Sequence, residues 1–268
     1  MNILDEIYRY KLIEVRNAKK QQSLYEICNL LKKQDRKKRN FTTSLENKIK
    51  NKNTAIIAEV KKASPSKGII RKDFDPIKIA QIYEKSGASC ISVLTDEKYF
   101  MGKNEYLTQI SDKVNLPILR KDFIVDSYQI YQSKLIGADC ILLIMAMIDL
   151  ETALEFERTA NNIGLEVLIE VHNQEELEKA LKLRSKLIGI NNRNLKTLKV
   201  DINNSINLAK LVPSDKLIIC ESGIYNKEDI NLMKNSEIYA FLIGESLMIS
   251  DDISKSFNDL IDNKSFDQ

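Results

Sequence analysis

Several short apolar runs in this chain end in residues able to move protons or hold charge. The run 55–58 meets Glu59 and Lys61, and the run 116–119 meets Arg120, Lys121 and Asp122. The run 167–169 meets Glu170, 187–190 meets Asn191, and 217–220 meets Glu221, Ser222 and Gly223. Lysines and carboxylates brought to one place shift one another's pKa values through close charge and partial burial. Such a set can protonate and deprotonate a substrate near neutral pH. The competing reading is a ring of structural salt bridges. Five separate runs contribute and the opposite ends of the runs show no similar set, which favours chemistry.

The elements that must position these residues follow from the runs themselves. A strand buried on both faces reads as a continuous apolar run, as in a parallel sheet covered by helices. Charged residues at the C-terminal ends of such strands are where a (β/α)8 barrel keeps its active site. The runs predict strands near 55–60, 89–94, 117–121, 139–144, 165–170, 187–191, 216–220 and 239–243. Amphipathic patterns fill the gaps at 76–84, 127–135, 150–161 and 174–181, and Gly87, Gly137 and Gly164 sit where helix C-caps belong. Alternation of this kind argues βαβ units. Eight of them point to a closed α/β barrel, a (β/α)8 TIM barrel, over an open doubly wound sheet.

No strand precedes residue 54. Residues 3–33 carry a helical pattern in which Ile3, Leu4, Ile7, Tyr10, Leu12 and Ile13 fall on or near one face. Residues 36–53 are polar and read as a loop with a short helix. The division expected is a helical extension over 1–47, packed on a barrel over 48–268.

Composition narrows the class. At 268 residues, 43% hydrophobic and 29% charged, the chain fits one large domain with a sizeable core. Its longest apolar stretch, 140–148, is too short to span a bilayer. Asp5 and Glu6 argue against a signal peptide, so a cytoplasmic home is expected. Four cysteines show no metal spacing, and the one histidine, His172, leaves zinc sites and Ser-His-Asp triads without ligands. Residues 1–53 hold 14 Lys/Arg against 6 Asp/Glu, while the remainder holds 27 against 32. The basic run 32–39 lacks interleaved aromatics or a binding module, so it reads as a solvated helix end and linker, with no nucleic-acid partner.

Small residues gather at the ends of the last two strands, at Ser222-Gly223 and at Gly244-Glu245. Unobstructed backbone amides near a helix start suit an anion, and loops after strands seven and eight of barrels commonly hold phosphate. Ordinary turns are the alternative for either glycine taken alone.

The string IAEVKKASPSKG at 57–68 resembles the signature of the indole-3-glycerol phosphate synthase family. The resemblance continues through SVLTDEKYF at 92–100, LRKDF at 119–123, LIEV at 168–171, GINNRNL at 189–195, ESG at 221–223 and LIGESLM at 242–248. It covers essentially the whole chain. It implies a decarboxylating, dehydrating ring closure of 1-(2-carboxyphenylamino)-1-deoxyribulose 5-phosphate to indole-3-glycerol phosphate, a carboxy-lyase step of tryptophan biosynthesis. No metal or organic cofactor is implied. Lys121 matches the general acid and Glu170 the general base. Glu59 and Lys61 stand close to the reacting atoms, with Asn191 in the same catalytic set. Arg193 and Glu221 match polar contacts to the substrate, and Phe100, Phe123 and Leu195 match the apolar seat of the aryl ring. Ser64, Ser222, Gly223, Gly244 and Glu245 match the phosphate end, Glu245 through its amide because two anions repel. Partners implied are a small phosphorylated substrate and, for a pathway enzyme, its tryptophan-pathway neighbours.

Departures are few. Arg120 stands where a neutral residue is expected, Ala146 and Met147 bring no catalytic group, and His172 reads as a loop residue or a support for Glu170. The related phosphoribosylanthranilate isomerase needs a cysteine at the end of the first strand, which is absent. A noncatalytic barrel would lack Lys121 or Glu170, and both are present. The basic extension, packed near the mouth, is expected to attract a dianionic substrate.

Overall fold

The apolar runs form eight parallel strands that close on themselves. The computed structural model describes residues 3–261 apart from Lys37, Asn51 and Lys196, so Met1, Asn2 and 262–268 lie outside the described residues. In chain order the barrel strands are β1 (Ala55–Val60), β2 (Cys90–Leu94), β3 (Ile118–Lys121) and β4 (Cys140–Ile144). They continue with β5 (Glu166–Val171), β6 (Leu187–Asn191), β7 (Leu217–Glu221) and β8 (Ala240–Ile243). Each pairs in parallel with its neighbours in sequence, and β8 closes on β1 with Ala240 opposite Ala55 and Ile243 opposite Ala58. The (β/α)8 barrel predicted from the run spacing is the fold, with strand ends shifted by about one residue, the usual margin.

Alternate residues of each strand face opposite ways. Ile57, Leu119, Leu168, Ile219 and Leu242 fill the barrel interior, while Ile56, Ile118, Ile169 and Ile218 pack outward against helices. The same alternation, continued two residues further, aims Glu59, Lys121, Glu170, Glu221 and Gly244 inward at the mouth. That is how a packing pattern becomes a site.

Three helices precede the barrel: α1 (Ile3–Gln21), α2 (Leu24–Lys33) and α3 (Phe41–Ile49). The helices that follow are α4 (Pro76–Ser86), α5 (Glu97–Phe100), α6 (Asn104–Ser111), α7 (Ser127–Ile136) and α8 (Leu150–Asn162). Then come α9 (Gln174–Ala180), α10 (Asn203–Ala209), α11 (Lys227–Lys234), α12 (Glu245–Ile249) and α13 (Ile253–Ile261). Asp75, Asp126, Asp149, Asn173 and Asn226 each cap the helix they precede by accepting from its first-turn amides. Such caps fix the turn from strand to helix at the mouth, each stabilising its helix by about 1 kcal/mol.

The polar segment 36–53 holds the short helix read from its sequence. Within it α3 places Phe41 and Leu45, both without solvent exposure, against Ala55, Ile57, Leu187 and Leu217 at the foot of the barrel interior. Burying each such side chain contributes about 1.5–3 kcal/mol. Glu166, the first residue of β5, accepts from the Phe41 amide at 2.6 Å, from the Thr42 amide at 3.0 Å and from the Thr42 hydroxyl. A carboxylate there also complements the helix dipole. Arg39 reaches back to Asp139 at 2.7 Å and donates to the Gly137 carbonyl. Two expectations are thereby corrected. The N-terminal strand ends do carry charged groups, and the basic run is not wholly solvated, because Asp139 and Ser111 of the barrel draw Arg39 and Arg36 inward. Lys37 of that run lies outside the described residues.

The segment 3–33 breaks at Ser23, whose side chain and Glu26 form a capping box at the start of α2. The buried face of α1 is Leu4, Ile7, Lys11 and Val15. Leu12 and Ile13 are exposed, against the expectation that they share the buried face. The position between them and Ile7 on the inward side belongs to Lys11. Val15 and Ile27 pack on Val125 and Tyr128, whose hydroxyl donates to the carbonyl of Gln22. No helix among the described residues is long and apolar enough to cross a membrane.

Candidate active site

The inward-facing residues at the strand ends form a charged ring. From β3, Lys121 reaches Glu170 of β5 at 2.8 Å and Glu221 of β7 at 3.4 Å. Asn191 of β6 donates to the other oxygen of Glu170 at 3.2 Å. Glu59 of β1 pairs with Lys61 at 3.1 Å and accepts from Ser92 of β2 at 3.4 Å. Gly189 makes room for this arrangement: a methyl group there would lie 2.1 Å from an oxygen of Glu221.

One ammonium shared by two buried carboxylates divides their behaviour. Burial opposes the charge on Lys121, but Glu170, Glu221 and Glu59 outweigh it and hold the amine protonated well beyond its ordinary range. For Glu170, burial is overcome by Lys121 and His172, which hold its carboxyl far below the usual range. Burial raises Glu221 to about 8, with Glu170 and Glu59 adding repulsion. Lys121, at the longer of its two contacts, pulls the other way but does not overcome burial and this repulsion. The mouth thus holds a firm cation, a firm anion and a carboxyl poised near neutrality, the arrangement proton transfer requires.

A cavity of about 480 Å3 opens above the ring. Its lining includes Phe100 and Phe123, with ring centroids 6.1 Å apart, together with Leu195 and with Leu4 and Ile7 of α1. Ser64, Ser222, Gly223, Gly244 and Glu245 line it as well. Ser222 and Gly223 adopt φ of 65° and 86°, turning the chain sharply at the end of β7. The strain at Ser222 is held by Asn192, whose side chain donates to the Ser222 carbonyl at 3.0 Å. A methyl group on Gly244 would meet an oxygen of Glu59 at 2.5 Å. The Glu245 carboxylate lies 3.6 Å from Arg193 and 3.8 Å from Lys67. Every residue singled out in the sequence as a site candidate lines this one cavity.

His172 takes the supporting place beside Glu170 that the sequence left open, and the partners of Arg120 were not foreseen. His172 sits 3.3 Å from Glu170 and 3.0 Å from Glu176; burial opposes its charge, yet these carboxylates raise its pKa to about 9. Arg120, the outward neighbour of Lys121, is fully buried and donates to Thr95, Gln129, Ser133 and Asp122. The clue to Arg120 was the alternation itself, which turns it away from the mouth. Among the described residues no group of three or more His, Cys, Asp or Glu side chains could hold a metal ion.

Among closed parallel barrels, ionisable groups gathered at the C-terminal strand ends mark enzymes, and this chain falls in that class. A family model described as indole-3-glycerol phosphate synthase matches residues 4–260. Curated proteins of that name are similar over nearly their whole length. The one from Legionella pneumophila (strain Lens) is 52% identical over 260 residues, covering 97% of this chain and 98% of its own. Those from Polynucleobacter necessarius and Alkaliphilus metalliredigens are 47% and 46% identical, with coverage of 97% and 98%, and of 96% and 97%. The chain belongs to the indole-3-glycerol phosphate synthase family.

Proposed function

We propose that the protein closes the indole ring of indole-3-glycerol phosphate, from 1-(2-carboxyphenylamino)-1-deoxyribulose 5-phosphate, with loss of carbon dioxide and water. The observation that carries this reading is the position of Lys121. Its ammonium is held by Glu170 and Glu221 in a cavity lined by Phe100, Phe123, Gly223 and Gly244.

The aryl ring lies against Phe100, Phe123 and Leu195, and the phosphate at the Ser222–Gly223 and Gly244–Glu245 backbone, with Ser64. This places the ribulose carbonyl over the charged ring. The ring carbon bearing the carboxylate bonds to the carbonyl carbon, and the oxygen gathers negative charge. Lys121 stabilises that charge and transfers its proton as the oxygen becomes the stronger base. Electrons of the carbon–carboxylate bond restore the aromatic ring as carbon dioxide leaves. Until then Arg193 and Lys61 supply cations for the departing carboxylate. The hydroxyl then leaves as water with a proton from the Lys61–Glu59 pair, joined at 3.1 Å. Glu170, held as the anion by Lys121 and His172, accepts the proton released as the five-membered ring becomes aromatic.

The purified protein given the carboxyphenylamino-deoxyribulose phosphate is expected to produce indole fluorescence and one carbon dioxide per turnover. Absence of both under conditions where the protein is folded overturns the reading.

A further inference from the structure

Lys11 of α1 has no solvent exposure, although it belongs to a helix outside the barrel. Its ammonium lies 2.8 Å from Asp96, 2.8 Å from Asp122 and 2.9 Å from Glu14. Asp96 follows β2 and Asp122 follows β3, and both side chains are as buried as the lysine. Burial opposes the lysine's charge, but Asp122, Asp96 and Glu14 hold it protonated.

Each of the two aspartates is fastened to one wall of the aryl seat. Asp96 caps α5 by accepting from the Tyr99 amide at 2.7 Å, and α5 ends in Phe100. Asp122 accepts from the amide of Phe123 at 2.8 Å and directly follows Lys121. The second oxygen of Asp122 accepts from Thr95 and Arg120, which fixes that carboxylate on the barrel side. One ammonium therefore sets the separation of Phe100 and Phe123 and ties it to the strand end that presents Lys121. The same helix brings Leu4 and Ile7 to the cavity wall.

We infer that Lys11 is a positioning residue for ring closure: from the N-terminal extension it fixes the aryl seat against Lys121 without touching the substrate. The inference rests on the aryl seat assigned above. Removing the cation leaves two buried carboxylates facing each other, and they must separate or share a proton. Either outcome displaces Phe100 and Phe123, and misplacement of about 1 Å near reacting atoms lowers rates by about 10²-fold.

The test is Lys11→Met, assayed well below its unfolding temperature. Expected are a fall in kcat/KM of about 10- to 100-fold and a rise of about tenfold in the inhibition constant of indole-3-glycerol phosphate. The inhibition constant of inorganic phosphate, and the ionic-strength dependence of kcat/KM, should stay as in the parent protein. A lowered Tm with unchanged kcat/KM and product inhibition overturns the inference, as does a parallel rise in both inhibition constants. If Lys11→Met does not fold, Asp96→Asn is measured the same way, because it keeps the oxygen that caps α5 while losing the charge. A parent protein with no turnover at all would defeat the functional reading instead, so the two failures are distinct.

Discussion

At the scale of single residues, the site works by unequal sharing of one proton-rich cation. Replacing Lys121 by Ala removes the acid and leaves Glu170 and Glu221 to share a proton, so kcat should fall by about 10²–10⁴-fold. Circular dichroism should show the barrel retained; an unchanged kcat would take Lys121 out of the mechanism. Gly244→Ala tests Glu59 as much as phosphate binding. Its methyl group would meet a Glu59 oxygen at 2.5 Å, so kcat should drop together with any rise in KM. A rise in KM alone would mean that Glu59 has no part in the reaction. His172 carries the pH dependence most open to measurement. Its folded pKa of about 9 exceeds the unfolded value of about 6.5, so its contribution to stability is full below about 6.5. That contribution is lost as pH rises through about 9. The gap in denaturation midpoint between the parent and His172→Gln should therefore be widest near pH 6 and close by about pH 10. A gap independent of pH would show that the imidazole is not charged in the fold.

At the scale of elements, the two ends of the barrel are handled by different means. The mouth is left open and charged, whereas the foot is stoppered by α3. That helix depends on one side chain, Glu166, for the amides of Phe41 and Thr42. Glu166→Ala leaves these donors without an acceptor and should lower stability by about 1–3 kcal/mol in urea titration. Catalysis should be untouched below the transition, since Glu166 begins the strand that Glu170 nearly ends. A matching fall in kcat would show that the stopper and the mouth are mechanically linked.

At the scale of the whole molecule, much of the barrel and its mouth was legible in the sequence. Buried parallel strands are apolar on both faces, so they stand out as runs, and a polar residue that ends a run must sit at a strand terminus. What escaped depends on partners distant along the chain. Lys11 looks like any lysine of an amphipathic helix until Asp96 and Asp122 are folded around it. Phe41 and Leu45 fall in a polar stretch too short for its periodicity to reveal a buried face. Asp139 precedes a strand and Glu166 begins one, and their purpose appears only with Arg39 and α3 in place. The cations of the extension illustrate the same limit. Lys11 and Lys19 are compensated within the fold by Asp96, Asp122 and Asp126, so removing residues 1–33 should lower kcat/KM while leaving its ionic-strength dependence close to that of the parent. A steep change in that dependence would restore long-range attraction as the role of the extension.

The closure of β8 on β1 bears on how the protein is made. Ala55 and Ala240 are neighbours in the finished sheet, so the first strand waits until all the other strands have been made for this second partner. Until then the nascent chain has two open sheet edges, and α3 has no finished interior to stopper. Contacts so remote in sequence slow folding and prolong the exposure of sticky strands. Chains stalled before Ala240 should aggregate or recruit chaperones, while full-length chains released from the ribosome should not.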